Sequence, residues 1–248
     1  ITHTRGINEK MTKSACRLPT IILCGGKGTR FQSVSNLTPK ALAPVGSGVM
    51  LDLIVRMMQE QGISSFIFAT GHLSYEIEKH VTSYQDINVK ISREEQPLGT
   101  GGALRQASRL VKDDNILAVN GDTFLNLDID SFYKAHLKRK ADVTICLTTA
   151  KTQDVRYGGV RLDDKQRVTN FGPSEASKFD FINAGAYIIQ RKIFANLLEN
   201  ASSLEFDYIP RWIKNKKIYG FVTDEKLFDI GTPERYYKFL KHQEQSQN

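Results

Sequence analysis

Glycines and cations stand close together near the start of the chain, in a composition typical of an anion-binding loop. The glycines are Gly25, Gly26 and Gly28, and the cations are Lys27, Arg30 and Lys40. Because glycine has no Cβ, its backbone N–H groups can approach an anion closely, and several cations can neutralise several phosphate charges. This segment therefore predicts a polyphosphate-binding loop, and the apolar run Ile21–Leu23 before it predicts a buried strand.

The two common nucleotide fingerprints do not fit this loop. A P-loop requires Gly-x-x-x-x-Gly-Lys-Ser/Thr, but here Lys27 precedes the last glycine and Arg30 follows Thr29. The dinucleotide pattern Gly-x-Gly-x-x-Gly requires a glycine at position 31, where the chain has Phe31. The loop is therefore a phosphate loop of another kind.

Two carboxylates lie at the ends of strand-like segments, Asp122 beside Gly121 and Asp229 between the apolar residues Phe228 and Ile230. Asp122 follows the predicted strand Ile116–Val119, and Asp229 precedes Gly231 and a predicted helix that starts near Thr232. Mg²⁺ is usually held by one or two carboxylates together with substrate phosphates and water. We therefore predict that these residues share a magnesium ion. The alternatives are a turn role for Asp122 and a helix cap for Asp229, although Thr232 is the better cap.

A second glycine-rich turn, Glu95–Gly102, leads into a predicted helix. The N–H groups at the start of that helix can meet carbonyl or phosphate oxygens. The Gln96 amide can both donate and accept hydrogen bonds, which suits the edge of a nucleobase. Taken alone, this segment is better explained as an ordinary loop.

In their order along Leu18–Leu240, these segments resemble the sugar-1-phosphate nucleotidylyltransferases. That family usually carries Gly-Gly-x-Gly-Thr-Arg followed by Pro-Lys-Pro, and Ala41 replaces the second proline here. Further matching pieces are Tyr157-Gly158, the stretch Ile182–Gly185 and Glu205. Each piece is weak alone, but their joint occurrence in this order is highly specific.

The resemblance implies a role for each matching residue. The implied nucleotide-binding residues are Leu23, Gly25, Gly26, Gly28, Thr29, Arg30, Gln96 and Gly101. The implied sugar-phosphate residues are Gly158, Glu175, Asn183 and Glu205; the metal ligands for Mg²⁺ are Asp122 and Asp229; and the catalytic residues are Arg30, Lys40 and Asp122. The implied substrates are a nucleoside triphosphate and a sugar 1-phosphate, which react to a nucleotide sugar and pyrophosphate without a covalent enzyme intermediate.

One segment departs from the family. Members usually carry Phe-x-Glu-Lys before the Asn-Ala-Gly strand, whereas Phe171-Gly172 is followed here by Pro173-Ser174. Glu175 and Lys178 are the candidates to replace that pair from a shifted loop. If they do not, the sugar selectivity differs from the usual pattern, and a non-catalytic nucleotide-sugar-binding homologue becomes the alternative.

Within the family, several phrases are most similar to the members that transfer a guanylyl group from GTP to D-glycero-α-D-manno-heptose 1-phosphate. The phrases are Leu23–Arg30, Glu95–Ala103, Asn120–Phe124 and Arg156–Gly158. The alternative is a mannose- or glucose-1-phosphate enzyme that uses GTP, UTP, dTTP or CTP. No residue type in these motifs separates guanine from uracil or thymine. The heptose interpretation implies a bacterial cytoplasmic enzyme whose product feeds the biosynthesis of surface polysaccharide or glycoprotein.

The spacing of apolar residues predicts an α/β fold. Predicted helices over 50–61, 74–81 and 102–110 alternate with buried strands over 66–69 and 116–119. Such alternation favours a Rossmann-like, mostly parallel sheet with helices on both faces and ligands at the carboxyl ends of the strands. The family resemblance implies the GT-A-like nucleotide-sugar transferase fold. We expect one domain over 18–248, with a nucleotide-binding half (18–150) and a sugar-phosphate-binding half (151–248).

Composition bounds the remaining possibilities. The chain has 248 residues and a net charge of +7, but its basic residues are scattered, which argues against a nucleic-acid or membrane partner. Cys16, Cys24 and Cys146 show no metal-ligand spacing and predict free thiols. Residues 1–17 lack the apolar centre of a signal peptide and predict a disordered tail. A homo-oligomer is left open.

Overall fold

The computed structural model describes residues 18–26, 28, 38–149, 158–173, 179–197 and 201–246. In chain order the strands are β1 (Thr20–Leu23), β2 (Pro44–Val45), β3 (Gly48–Val49), β4 (Ser65–Thr70), β5 (Asn88–Arg93), β6 (Asn115–Asn120), β7 (Thr123–Phe124), β8 (Val143–Thr149), β9 (Gly158–Leu162), β10 (Val168–Pro173), β11 (Phe181–Gln190), β12 (Ile218–Val222) and β13 (Phe228–Asp229).

The helical segments lie between these strands. The α-helices are α1 (Met50–Glu60), α2 (Ser74–Val81), α3 (Gly99–Ser108), α4 (Ile129–Arg139), α5 (Ile209–Trp212) and α6 (Pro233–Ser246), with 3₁₀ turns at Lys40–Leu42 and Arg191–Asn196 and a π-helical segment at Leu204–Tyr208. This order of elements confirms the predicted alternation of strands and helices. Thr232 caps α6 as expected, because its hydroxyl accepts the N–H of Arg235 at 3.4 Å.

The central sheet is mixed. Strands β5, β4, β1 and β6 are neighbours in that order and run parallel, so the loops that follow them meet at one edge. Strand β11 then pairs antiparallel with β6, β8 and β9, and β10 extends the sheet beyond β9. The parallel half places the predicted phosphate loop and the residues after β6 at the same carboxyl edge.

Apolar residues cover both faces of the sheet, as the sequence predicted. One face packs against α1, α2, α4 and α6, through side chains such as Ile54 and Phe132. The other packs against α3 and α5, through side chains such as Leu104 and Trp212. Because both faces of the central sheet are buried, its central strands are continuous apolar runs and do not alternate between apolar and polar residues.

Two details differ from the sequence prediction. Helix α3 begins at Gly99 rather than at Gly102, so the second glycine-rich segment already contributes the first helical turn. Strand β8 does not continue the parallel run, because β11 lies between β6 and β8 and pairs antiparallel with both. Local periodicity predicts a strand but carries no information about which distant strand will pair with it.

Cys24 and Cys146 are buried free thiols, as predicted, whereas Cys16 lies outside the described residues, as does the predicted tail 1–17. Burial raises the pKa of both described thiols well above the usual range.

In the part of the chain that the structure describes, no helix has the length and hydropathy of a membrane span.

Candidate active site

Two short strands bring the predicted metal carboxylates together. Strand β7 begins directly after Asp122, and it pairs antiparallel with β13, in which Asp229 stands opposite Thr123. The backbone N–H of Ile230 also donates to the carbonyl of Asp122 at 3.1 Å. Residues more than a hundred positions apart are thus held side by side at the carboxyl edge of the sheet.

Lys40 lies between these carboxylates. Its Nζ is 2.5 Å from Oδ2 of Asp122 and 3.9 Å from Oδ1 of Asp229. A 3₁₀ turn after Pro39 holds Lys40 in place, because the turn buries Ala41 and Leu42 in the core. The Lys40 side chain is only 16% exposed, so its charge faces the two carboxylates with limited solvent screening.

Arg235 is a second cation at this point, and the sequence analysis did not find it. Its Nη1 donates to Oδ2 of Asp229 at 3.1 Å, and its side chain is 14% exposed. Asp229 also accepts the backbone N–H of Gly231. Arg235 stands in the first turn of α6, where nothing local in the sequence marks it. Its ion pair with Asp229 identifies it.

The described part of the predicted phosphate loop lies beside this cluster. Leu23, Gly26 and Gly28 line a cavity together with Lys40 and Asp122. A Cβ added to Gly26 would meet no atom within 4 Å, and Gly28 has a φ of +57°, which favours glycine. Thr29 and Arg30 lie outside the described residues.

A second cavity, of about 590 Å³, adjoins the first one and extends to the ends of β4 and β5. Gly25, Gln96 and Thr100 line it, and Asp122 belongs to its wall as well. Gly101 is placed differently from the other predicted nucleotide residues. It is buried, its N–H donates to the carbonyl of Ser202 at 2.9 Å, and a Cβ on it would clash with the Tyr208 ring.

On the other side of the carboxylates, an irregularity in β11 shapes the cleft. The pairing of β11 with β8 shifts between Asn183 and Tyr187, and Gly185 there has a φ of +71°. Asn183, Ala184 and Gly185 consequently line a cavity that also contains Asp229 and Arg235. Bulges of this kind often re-aim side chains next to active sites.

Two further predicted sugar-phosphate residues lie around this bulge. Gly158 starts β9, whose next residue pairs with Ile182 of β11. Glu205 is half-buried in the π-helical segment. Glu175 lies outside the described residues, as does the rest of 174–178, so the expected replacement for the Glu-Lys pair stays a prediction.

A buried tyrosine, which the sequence analysis missed, connects Asn183 with Glu205. Tyr187 accepts a hydrogen bond from Nδ2 of Asn183 at 2.5 Å and donates one to Oε1 of Glu205 at 3.0 Å. The other oxygen of Glu205 accepts from the Thr100 hydroxyl at 2.6 Å. Burial, followed by the charge of Glu205, raises the pKa of Tyr187 well above its usual range. Thr100 lines the larger cavity, so this network spans both sides of the cleft.

The carboxylate pair fits the magnesium ion that the family resemblance implies. Its donors are oxygens, and the position of Lys40 shows that the carboxylates favour a positive charge between them. Among the described residues, no group of three or more metal-ligating side chains gathers. An ion here would therefore depend on phosphate oxygens and water for its other ligands, as Mg²⁺ commonly does.

Comparison with known proteins indicates the same family as the sequence motifs. The family model described as nucleotidyl transferase matches residues 19–246. The D-glycero-alpha-D-manno-heptose 1-phosphate guanylyltransferase of Aneurinibacillus thermoaerophilus is 36% identical over 226 residues, which cover 90% of this chain and 97% of that protein. The enzyme of the same name from Campylobacter jejuni is 34% identical and covers 90% and 99%.

A solved structure agrees with these relatives. The crystal structure of HddC from Yersinia pseudotuberculosis complexed with GMP-PN superposes with a TM-score of 0.80 at 28% identity, covering 91% of this chain and 99% of that chain. The match therefore extends over the sheet, both helical layers and the cleft. The chain belongs to the nucleotidyl transferase family.

Proposed function

We propose that this protein transfers the guanylyl group of GTP to D-glycero-α-D-manno-heptose 1-phosphate and releases pyrophosphate. The observation that carries the reaction type is the convergence of Lys40, Asp122 and Asp229 at the junction of two cavities. The support for these two substrates is the identity of 36% and 34% to two enzymes named for them.

In this proposal the nucleotide occupies the larger cavity. The base lies beside Gln96, and the triphosphate follows Gly25, Gly26 and Gly28 toward Lys40. Thr29 and Arg30 join this loop by the family resemblance. The sugar phosphate occupies the side lined by Asn183 and Arg235, with Glu205 and Gly158 close to the same bulge. The two substrates therefore meet at Asp122, which belongs to both cavities.

The chemistry needs positioning and charge neutralisation more than proton transfer. A phosphate oxygen of the sugar 1-phosphate attacks the α-phosphorus, a new P–O bond forms, and the bond to the pyrophosphate oxygen breaks. The nucleophile is already ionised, so no general base is required. Lys40 and Arg30 neutralise charge that develops at the α-phosphate and on the leaving pyrophosphate. Bound at Asp122 and Asp229, Mg²⁺ would supply further Lewis-acid stabilisation of these oxygens.

Pyrophosphate release tests the proposal. We would cross GTP, UTP, dTTP, CTP and ATP with heptose-, mannose- and glucose-1-phosphate in the presence of Mg²⁺. A strong signal confined to GTP with the manno-heptose phosphate is expected. Another productive pair would keep the reaction and replace the substrates, and activity that persists in excess chelator would contradict the magnesium assignment.

A matched pair of variants connects the signal to the site. Asp122→Asn is expected to lower kcat by about a hundredfold or more, because it removes a metal carboxylate. Asp113→Asn is the control, since this exposed aspartate precedes β6 at the opposite edge of the sheet. Equal activity of the two variants would contradict the proposed site.

A further inference from the structure

Arg235 lies at the start of α6 and lines the cavity beside the β11 bulge. Its backbone N–H donates to the Thr232 hydroxyl at 3.4 Å, which fixes the residue in the first helical turn. Its side chain is largely buried, with 14% of its surface exposed. Because an arginine stays charged when it is buried, it needs negative partners on the walls around it.

Asp229 holds one end of the guanidinium in place. Its Oδ2 accepts Nη1–H of Arg235 at 3.1 Å. Its Oδ1 accepts the backbone N–H of Gly231 and lies 3.9 Å from Nζ of Lys40. A Cβ on Gly231 would stand 2.7 Å from Oδ1, so glycine at this position lets the carboxylate keep its orientation. The Arg235 side chain therefore has a defined position on the cavity wall.

The cavity that Arg235 lines has a volume of about 170 Å³ and walls of mixed charge. Among the described residues of its wall, the charged ones are Lys40, Asp122, Asp229 and Arg235. Lys40 also lines the cavity of the phosphate loop, whereas Arg235 belongs to neither of the two cavities on the nucleotide side. These two described cations are thus divided between the two sides of the cleft.

A sugar 1-phosphate needs a cation on its own side of the cleft. A phosphate monoester carries about two negative charges at neutral pH, and both Asp122 and Asp229 repel it. In the proposed function Lys40 serves the triphosphate. Arg235 is then the described cation on the side that Asn183 lines.

The segment before β11 makes this cation more important. Family members usually carry a glutamate and a lysine there, at the place where this chain has Pro173-Ser174. Neither proline nor serine carries a charge that could offset a phosphate. Arg235 can supply from α6 the positive charge that these two positions lack.

We propose that Arg235 binds the phosphate group of the sugar 1-phosphate and orients it toward the α-phosphorus of the nucleotide. A guanidinium presents five N–H donors in a planar fork, so it can contact Asp229 and a phosphate together. The inference rests on the proposed function and adds the residue that binds the attacking group. Arg235 takes part in no bond change, since it holds the phosphate while one of the phosphate oxygens forms the new P–O bond.

Separate titrations of the two substrates test this role. A GTP analogue with a methylene group between the α- and β-phosphorus cannot release pyrophosphate, so both ligands can be bound without reaction. We would saturate the protein with this analogue and Mg²⁺ and measure the dissociation constant of heptose 1-phosphate by titration calorimetry. Arg235→Gln is expected to raise this constant about tenfold or more, as for a lost hydrogen bond between charged groups. The dissociation constant of the analogue itself is expected to change less than about threefold, because Arg235 does not contact the nucleotide in this proposal.

Lys238→Gln is the matched control, because it removes a positive charge from an exposed position about one turn further along α6. It is expected to keep both wild-type constants. Arg235→Lys keeps the charge but not the planar fork. Its constant for heptose 1-phosphate is therefore expected to lie between those of the wild type and Arg235→Gln.

The proposal is overturned if Arg235→Gln binds heptose 1-phosphate as tightly as the wild type. It is also overturned if this variant loses affinity for the analogue to the same degree, because Arg235 would then act only through Asp229. If Arg235→Gln does not fold, Arg235→Lys decides the question, and wild-type affinity for heptose 1-phosphate in that variant overturns the proposal.

The same titrations separate this inference from the proposed function. A wild-type protein that binds mannose or glucose 1-phosphate, but not heptose 1-phosphate, would overturn the heptose assignment. The variants would then be compared on the sugar phosphate that binds. An Arg235→Gln variant with wild-type affinity, together with a Lys178→Gln variant that has lost it, would overturn only the role of Arg235 and assign the phosphate to Lys178.

Discussion

At the scale of single residues, the site is a compact set of opposite charges. Lys40 contacts both Asp122 and Asp229, and Arg235 contacts Asp229 from the other side. Two carboxylates so close together repel each other, and the cations offset that repulsion. In the proposed function this cluster is preorganised for the charges of a triphosphate and a metal ion, because its groups are already oriented before the substrates bind.

Lys40→Ala is expected to lower kcat by about a hundredfold or more, because one well-placed charge donor contributes a few kcal/mol to transition-state stabilisation. Steady-state pyrophosphate release measures the effect. Lys112→Ala is the control, since Lys112 is exposed and lies in the turn before β6, at the edge of the sheet away from the cleft. Turnover of Lys40→Ala within a few-fold of the wild-type value would show that Lys40 is structural.

Arg30→Ala gives a second prediction at this scale. The family resemblance assigns Arg30 to the triphosphate, and we expect its loss to reduce turnover by roughly a hundredfold or more. The unfolding temperature should change little, so a thermal melt distinguishes a lost charge donor from a lost fold. Near-normal turnover would refute the catalytic assignment of Arg30.

At the scale of elements, one hydrogen-bond network that includes a buried hydroxyl joins three segments. Tyr187 of β11 joins Asn183 at the bulge with Glu205 in the π-helical segment, and Glu205 continues to Thr100 at the start of α3. A buried polar network of this kind is stable only while each member keeps its partner. It therefore holds the side of the cleft lined by Asn183 in register with the side lined by Thr100, which in the proposed function bind the sugar phosphate and the nucleotide.

Tyr187→Phe is expected to lower the free energy of unfolding by about 1–3 kcal/mol, because it leaves Asn183 and Glu205 each short of one partner. It should also raise the KM for the sugar phosphate more than the KM for GTP, a split that a purely structural role would not produce. Denaturant unfolding and steady-state kinetics measure the two effects.

Tyr219→Phe is the matched control for this variant. Tyr219 stands in β12, and its hydroxyl makes no hydrogen bond with the described residues, so its loss should change stability by less than about 0.5 kcal/mol. If both variants have the same stability and the same kinetics, the network does not position the sugar side.

At the scale of the whole molecule, one buried histidine connects a covering helix to the sheet. His136 of α4 bonds to Thr144 of β8 at 2.8 Å and to Asn115 of β6 at 3.1 Å. Nε2–H donates to the side-chain oxygen Oδ1 of Asn115, and Nδ1 accepts from the Thr144 hydroxyl, so both nitrogens of the neutral ring have a partner. Burial lowers the pKa of His136 to about 4, although the charge of Asp142 acts in the opposite direction.

This shift predicts how stability depends on pH. Between pH 6.5 and about 4 the unfolded chain binds a proton at His136 that the folded chain does not. The free energy of unfolding should therefore fall as the pH falls through this window, by up to about 3 kcal/mol from this group. Below about pH 4 both states are protonated and the contribution levels off.

Denaturant unfolding at several pH values measures the effect. The profile of His136→Gln, subtracted from that of the wild type, isolates the histidine from carboxylates that titrate in the same range. We expect the difference to change across the window between pH 6.5 and 4. Parallel profiles would show that His136 is not neutral in the folded protein.

The sequence alone determined the fold class and most of the candidate site. Apolar runs and helical periodicity are local properties, so the strand before Gly25, helix α1 and the alternation up to β6 could be predicted from them. Asp122 and Asp229 could be predicted because each lies at the end of a strand-like run, Asp122 beside Gly121 and Asp229 just before a predicted helix. The family was recognisable from the order of its motifs.

Only the tertiary structure decided what depends on contacts between distant segments. The insertion of β11 between β6 and β8, the meeting of Asp122 with Asp229 through β7 and β13, and the ion pair of Arg235 have no local pattern. The physical reason is that periodicity reports which face of an element is buried, whereas pairing and charge neighbours are set by how the whole chain packs.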